Sequence, residues 1–181
     1  MTAANKVRWT VDDLESLPDS SDRFEIIDGD LHVTRAPHWK HQDVAGEVYA
    51  ELLAWSKRTK LGKPVLTPGV IFSPTNAVIP DLIWASNERL ETSIDEAGHL
   101  IEAPELVIEV LSKSQMDKDR DRKYKLKLYS VEGVQEYWIF DREQQLVEVF
   151  RRDNGILVKS LTLYASDSLT SPLLPEFSCG V

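Results

Sequence analysis

Cysteine is nearly absent. Cys179 is the single one among 181 residues, so no intrachain disulfide and no cysteine metal cluster can form. The reducing cytoplasm is the compartment this leads us to expect. Long apolar runs are missing as well. Ala77-Val78-Ile79 is cut short by Pro80-Asp81, and nothing approaches the ~18 apolar residues of a membrane-spanning helix, so no membrane partner is expected. The opening MTAANKVRWT carries no apolar signal core. Positive charge is scarce. The 21 Lys and Arg against 30 Asp and Glu leave a net charge of −9, which argues against holding nucleic acid by bulk electrostatics. An enzyme that binds metal through carboxylates can nonetheless be acidic overall and keep one basic groove. Repeats and low-complexity linkers are also lacking.

What is present is enough for a sizeable core. Hydrophobic residues make up 42% and charged residues 28%, which excludes wholesale disorder and fits one domain over residues 1–181. Thr10–Leu17 reads as a short helix with Thr10 as N-cap and Asp13 near the capping-box position. A polar turn follows at Asp19-Ser20-Ser21-Asp22. Arg23–Asp28 and Leu31–Arg35 are strand-like runs around Asp28-Gly29-Asp30, a hairpin signal. The first unit, residues 10–35, is thus a helix and a hairpin.

The core, residues 41–141, opens on a helix from His41 to about Lys57, with Val44, Val48, Leu52 and Trp55 as its buried stripe. Lys63–Leu66, Val70–Ser73 and Val78–Ala85 read as strands, and Asn87–Ala103 as acidic surface loop. Glu105–Leu111 has the density of a strand covered on both faces. A helix from Asp117 to about Val131 ends at Gly133, and Gln135–Phe140 is the next strand. Leu146–Phe150 and Ile156–Tyr164 are further strands, and the tail from Ser171 reads as an irregular strap, completing a C-terminal part over residues 145–181. The order predicts an α/β or α+β domain with a mixed sheet.

Three features could carry chemistry. Asp81 lies inside the apolar run Val78–Trp84, where a carboxylate costs several kcal/mol unless paired, protonated or metal-bound. The plain alternative is that Pro80 marks an edge and Asp81 faces solvent there. Glu109 lies in the run 105–111, where alternation puts Glu105, Val107 and Glu109 on one face and Leu106, Ile108 and Val110 on the other. Two strand carboxylates that converge suit a hard cation such as Mg²⁺; the alternative is a buried ion pair between Glu109 and a lysine. Third, Lys113 to Lys127 holds seven basic and three acidic residues. A solvated helix face with pairs such as Asp121–Lys125 explains this by itself, but Asp121, Lys125 and Leu128 share a face that can point back at the strand ends.

Several blocks in order carry a family resemblance: Phe24-Glu25-Ile26-Ile27-Asp28-Gly29, His41-Gln42, Pro80-Asp81, Val107-Ile108-Glu109-Val110-Leu111-Ser112, Asp121-Arg122 with Lys125 and Tyr129, and Gly133-Val134-Gln135-Glu136-Tyr137-Trp138-Ile139-Phe140-Asp141. The chain resembles the Uma-type restriction endonucleases, a branch of the PD-(D/E)XK nuclease superfamily. The resemblance implies a restriction-endonuclease-like αβββαβ core with a mixed β-sheet and an N-terminal β-hairpin. It also implies a metal-dependent site hydrolysing DNA phosphodiester bonds. Asp81 matches the first acid and Glu109 the second. The lysine common two residues after the second acid is Leu111 here, and Lys125 on the following helix matches the displaced lysine. Glu25 matches a further family acid; His41 and Asp121 match positions of less defined role.

On this reading Asp81 and Glu109 hold one or two Mg²⁺, Mn²⁺ substituting, with the carbonyl of Val110 as a further ligand. Lys125 orients or helps deprotonate the attacking water, or stabilises the pentavalent phosphate, and Glu25 orients metal-bound water. The substrate is DNA, and a homodimer suits two antiparallel strands. The competing functions are a catalytically degenerate fold used for binding or assembly, and a nuclease for RNA or structured DNA. Among the remaining residues, His32, His38 and His99 lack zinc spacing, Tyr137 and Trp138 read as core, and Glu47 and Glu51 as a solvated face. Trp39, in the exposed-looking loop Pro37-His38-Trp39-Lys40, reads as locally packed, with substrate contact as the alternative.

Overall fold

The computed structural model describes residues 7–14, 16–18, 20 and 22–181. Residues 19 and 21 of the expected polar turn and residue 15 of the expected first helix lie outside the described residues. The first helix, α1, is confined to Val11–Leu14. Half of a capping box is present: Asp13 Oδ2 accepts from the backbone N–H and the hydroxyl of Thr10, each at 2.7 Å, while the Asp13 N–H donates to the Thr10 carbonyl and not to its hydroxyl.

The hairpin forms β1 (Arg23–Ile27) and β2 (Asp30–Thr34). Asp28 and Gly29 both take positive φ, 52° and 75°, the backbone of a two-residue hairpin turn whose twist matches the strands. Helix α2 spans Trp39–Thr59 and buries Ala45, Val48, Leu52 and Trp55, with His38 as N-cap. It begins two residues before the expected start.

The expected strand 78–85 is two strands. β3 (Gly62–Leu66) and β4 (Val70–Ser73) are followed by β5 (Asn76–Val78) and β6 (Leu82–Ser86). β5 pairs with β1 and β4, whereas β6 pairs with β3 and with β7 (Leu106–Val110). Pro80 has no N–H to donate to a ladder, and the Ile79 N–H donates instead to Glu25 Oε1 at 2.8 Å. The chain therefore crosses from one sheet to the other at Ile79-Pro80-Asp81.

The segment expected to be loop starts as helix α3, Asn87–Thr92. The Ser86 side chain accepts the Arg89 N–H there, a cap the acidic composition concealed. The expected helix at 117–131 is longer and not uniform. It comprises α4 (Gln115–Asp119), a π-helical turn (Arg120–Lys125) and α5 (Leu126–Glu132), stopped by Gly133 at φ 99°. β8 (Glu136–Asp141), β9 (Leu146–Asp153) and β10 (Ile156–Tyr164) follow. The tail is not an irregular strap but a hairpin of β11 (Ser168–Ser171) and β12 (Leu174–Gly180).

The larger sheet has the order β10-β9-β8-β7-β6-β3 and the smaller β2-β1-β5-β4. Only β7 and β8 run parallel, joined by the helical segment 115–132, so the sheet is mixed as expected. Leu106, Ile108 and Val110 of β7 pack with α2 and with Leu169, Leu174 and Phe177 of the tail hairpin. Val107 faces the other way, toward Leu128 and Tyr129 of α5 and Ile27 and Val78 of the smaller sheet. Tyr137 and Trp138 are fully buried, as expected. No helix among the described residues is long and apolar enough to cross a membrane.

Candidate active site

β7 alternation puts Glu109 on the same face as Val107, toward the smaller sheet and α5. The crossing between sheets delivers Asp81 to the same place from the start of β6. Both line a cleft of about 310 Å³ together with Glu25, His41, Asp121 and Lys125. Asp81 Oδ2 accepts the Val110 N–H at 2.9 Å and lies 3.1 Å from His41 Nε2, while Oδ1 lies 3.4 Å from Arg23 Nη1. The Asp81 N–H donates to Glu109 Oε2 at 3.3 Å. The two acids are thus locked in register, Glu109 through the Asp81 amide and Asp81 through the amide of Val110, the residue after Glu109.

The other Glu109 oxygen, Oε1, accepts from Lys125 Nζ at 2.8 Å and from the Tyr129 hydroxyl at 3.1 Å. Lys125 Nζ also sits 2.8 Å from Glu25 Oε1 and 4.0 Å from Asp121 Oδ1. The local backbone explains how one helix face supplies these groups. Asp121 and Lys125 bracket a π-helical turn, whose wider winding adds a residue per turn and is frequent at functional sites, and both are 2% exposed. The solvated Asp121–Lys125 pair that the charge pattern suggested is therefore a buried one. The Tyr137 hydroxyl donates to the Asp121 carbonyl at 3.0 Å, which supports the turn from the sheet beneath it.

The cluster is electrostatically strained. Burial pushes the Glu109 carboxyl well above its ordinary range; Lys125 opposes the shift, and the charges of Asp81, Asp121 and Glu25 add to it. Burial also works against the charge on Asp81. There the hydrogen bond and charge of His41, with the Val110 amide, hold the carboxyl below its usual value. Asp121 is raised by burial in spite of Lys125 and Arg120. Burial opposes the charge of Lys125, but Glu109, Glu25 and Asp121 outweigh it and raise the ammonium. A fixed cation is the result.

All the sequence-chosen residues converge. Asp81 does not face solvent, being 6% exposed. The buried lysine pair offered as the alternative for Glu109 does exist, and its lysine is Lys125 itself. Val110 contributes its backbone N–H to Asp81. Trp39, expected to pack locally, is 65% exposed. Two guanidinium groups were not singled out by the sequence reading. Arg23 reaches Asp81, and Arg120 Nε sits 3.1 Å from Asp121 Oδ1 and 3.9 Å from Glu25 Oε2. Strand alternation carried the signal for Arg23, which lies two residues before Glu25 on one strand.

The donor set fits a hard divalent cation. Among the described residues no three His, Cys, Asp or Glu side chains form a ready-made metal cage. Mg²⁺ does not demand one, because it takes one or two carboxylates and keeps waters and phosphate oxygens. Asp81 and Glu109 supply the carboxylates, and a second positive charge would relieve the crowding that raises Glu109. His41 Nδ1 is buried without a hydrogen-bond partner among the described residues, an orphan that bound water would satisfy.

No curated protein matches the chain. Among solved structures, "a putative nuclease belonging to DUF820" from Anabaena variabilis superposes with a TM-score of 0.74 over 94% of each chain at 21% identity, so the two share a fold. The family model named Uma2, described as "Putative restriction endonuclease", matches residues 11–181. With nearly the whole chain covered, this protein belongs to the Uma2 family.

Proposed function

We propose that this protein is a Mg²⁺-dependent endonuclease that hydrolyses DNA phosphodiester bonds at the Asp81–Glu109 cleft. The observation that carries the proposal is the joint placement of Asp81, Glu109 and Lys125, linked by contacts of 3.3 Å and 2.8 Å. Asp81 and Glu109, with the Val110 carbonyl, would hold Mg²⁺ or Mn²⁺, which when bound lowers the pKa of water and offsets charge on the phosphoryl oxygens.

The chain's own residues do the rest. Lys125 acts as a charge and a donor, not as a base, because the acids around it stabilise its protonated form. It fixes Glu109 and Glu25 and stands ready to donate to a phosphoryl oxygen. His41 and the Val110 amide hold Asp81 ionised and oriented. Glu25 links Lys125 to the sheet crossing by accepting the Ile79 N–H.

The test incubates purified protein with supercoiled plasmid and with circular single-stranded DNA, in Mg²⁺ or Mn²⁺, beside EDTA and Asp81→Asn controls. Nicking or linearisation that both controls abolish supports the proposal. Intact DNA of both kinds with a folded protein overturns it in favour of a binding module, and cutting that survives Asp81→Asn overturns the assignment of the site.

A further inference from the structure

Four acids of the cleft and their lysine are deeply recessed. Glu25, Asp121 and Lys125 are 2% exposed, Glu109 3% and Asp81 6%. The cations at its mouth lie on three different connections. Arg35 follows β2, Lys113 follows β7 and Arg142 follows β8, and all three line the cleft. Arg35 and Lys113 are exposed, and among the described residues the Arg142 Nε has no hydrogen-bond partner and none of the three is tied up in an ion pair. Negative charge at depth and positive charge at the rim would draw a phosphate chain to the mouth.

Beside the mouth, Arg142 also borders a second hollow of about 650 Å³ between α2 and the β8–β9 turn. Trp39 stands at its edge, and Val44, Val48, Phe140 and Val147 line its apolar part. Trp39 is 65% exposed. Its ring stacks on His38 with centroids 6.0 Å apart, and His38 lines the cleft itself. Lys40 Nζ lies 5.6 Å from the indole centroid. An exposed tryptophan in a row with an imidazole and an ammonium is a stacking surface for a planar group, which would take the place of the long lysine side chain on the ring. Asp43, Glu47 and Glu51 on the α2 side of the hollow repel phosphate. A nucleotide would therefore keep its phosphate at the rim cations and turn its base toward Trp39.

From this arrangement we infer that the substrate segment is single-stranded DNA, with Trp39 as the base-stacking platform next to the reacting phosphate. This deepens the nuclease reading and rests on its cleft. An intact duplex hides the faces of its bases, so Trp39 gains nothing from it. A stiff duplex also cannot feed one phosphate down to groups exposed by only a few per cent. Three rim cations on a chain of net charge −9 supply little of the non-specific attraction that duplex binding draws on.

The experiment measures the fluorescence anisotropy of a labelled mixed-sequence DNA oligonucleotide, single-stranded or annealed, with the full chain in EDTA so that nothing is cut. The expected result is tighter binding of the single strand. Trp39→Ala should weaken it by about 5- to 150-fold, the range for one stacked base, and Trp39→Phe should keep most of the affinity. The logarithm of the single-strand binding constant should fall with log salt at a slope of about −2, for three neutralised phosphates. Duplex binding as tight as single-strand binding overturns the inference, as does a silent Trp39→Ala or a stronger preference for RNA of the same sequence. Cleavage is scored separately. Metal-dependent cutting without single-strand preference removes this inference and leaves the nuclease reading, whereas single-strand binding through Trp39 without any cutting overturns the nuclease reading and, with it, single-stranded DNA as a substrate.

Discussion

Lys125 Nζ lies 2.8 Å from Glu109 Oε1, and both groups are almost completely buried. The lysine lies sixteen residues beyond the acid, on the helical segment after its strand, and it bridges Glu109 to Glu25 on another sheet. One ammonium therefore compensates acids from both sheets. Such a group is worth more by its presence than its ion pairs are worth in total, because its removal leaves uncompensated buried charge.

Lys125→Met should accordingly destabilise the fold by about 3–5 kcal/mol, as read by chemical denaturation in EDTA. The double change Lys125→Met with Glu109→Gln should recover a good part of that loss. A single variant as stable as the wild type would contradict the compensation argument.

Asp81→Asn keeps an oxygen for the Val110 N–H and removes the charge. It should leave the near-ultraviolet circular dichroism unchanged while cutting metal-dependent cleavage by about 100-fold or more. His41→Ala acts through Asp81 and should instead raise the Mn²⁺ concentration for half-maximal cleavage by about 10-fold, with a smaller loss at saturating metal. Equal losses at every metal concentration would show that His41 does not position the acid.

Gly62 begins the edge strand β3. A Cβ there would meet the Ala85 carbonyl oxygen at 2.2 Å and Trp84 Cζ2 at 2.6 Å. The nearer obstacle is backbone and cannot swing away. Gly62→Ala should cost about 1–3 kcal/mol, whereas Gly46→Ala, with nothing within 4 Å on exposed α2 surface, should be stabilising through helix propensity by about 1 kcal/mol. Opposite shifts in thermal midpoint check the pair.

Much of this was legible in the residues. Alternation along 105–111 correctly assigned both faces of β7, and the pattern of Val48, Leu52 and Trp55 found α2. Two features were not legible. The apolar run 78–85 looks like one strand by periodicity, because hydrophobicity does not reveal which sheet a residue joins; Pro80 was the sign, and Glu25 waiting for the Ile79 N–H was invisible. Nor does the helical pattern of 117–131 register a π turn, which shifts the face only locally. Yet that turn places Asp121 and Lys125, so Asp81, Glu109 and the shared face of Asp121 and Lys125 were legible from the residues, Glu25 and His41 came from the resemblance, and the winding that buries the Asp121–Lys125 pair was not legible. The stretch Pro37-His38-Trp39-Lys40 looked exposed in the sequence, and Trp39 in it is exposed, although local packing was the preferred reading.

The raised carboxyls give a final prediction. Glu109 and Asp121 are lifted by burial above their ordinary values. A carboxyl with a raised folded-state pKa binds its proton more tightly in the native protein. Its contribution is greatest below the unfolded value and is lost as pH rises toward the folded one. His32 acts in the opposite sense. Burial and Arg120 lower its pKa, so its contribution is present at higher pH and lost as pH falls through the range below its ordinary value of 6.5. The comparison that isolates Glu109 is therefore wild type against Glu109→Gln, both in EDTA, from about pH 8 down to the ordinary glutamate value of 4.5. The wild type should gain stability relative to the variant as pH falls. Saturating Mg²⁺ should reduce or reverse that gain, because the cation competes with the proton for Glu109. A wild-type-minus-variant difference that is flat across this range in EDTA would mean that Glu109 is fully compensated by Lys125 alone, and the electrostatic case for a second cation in the cleft would fall with it.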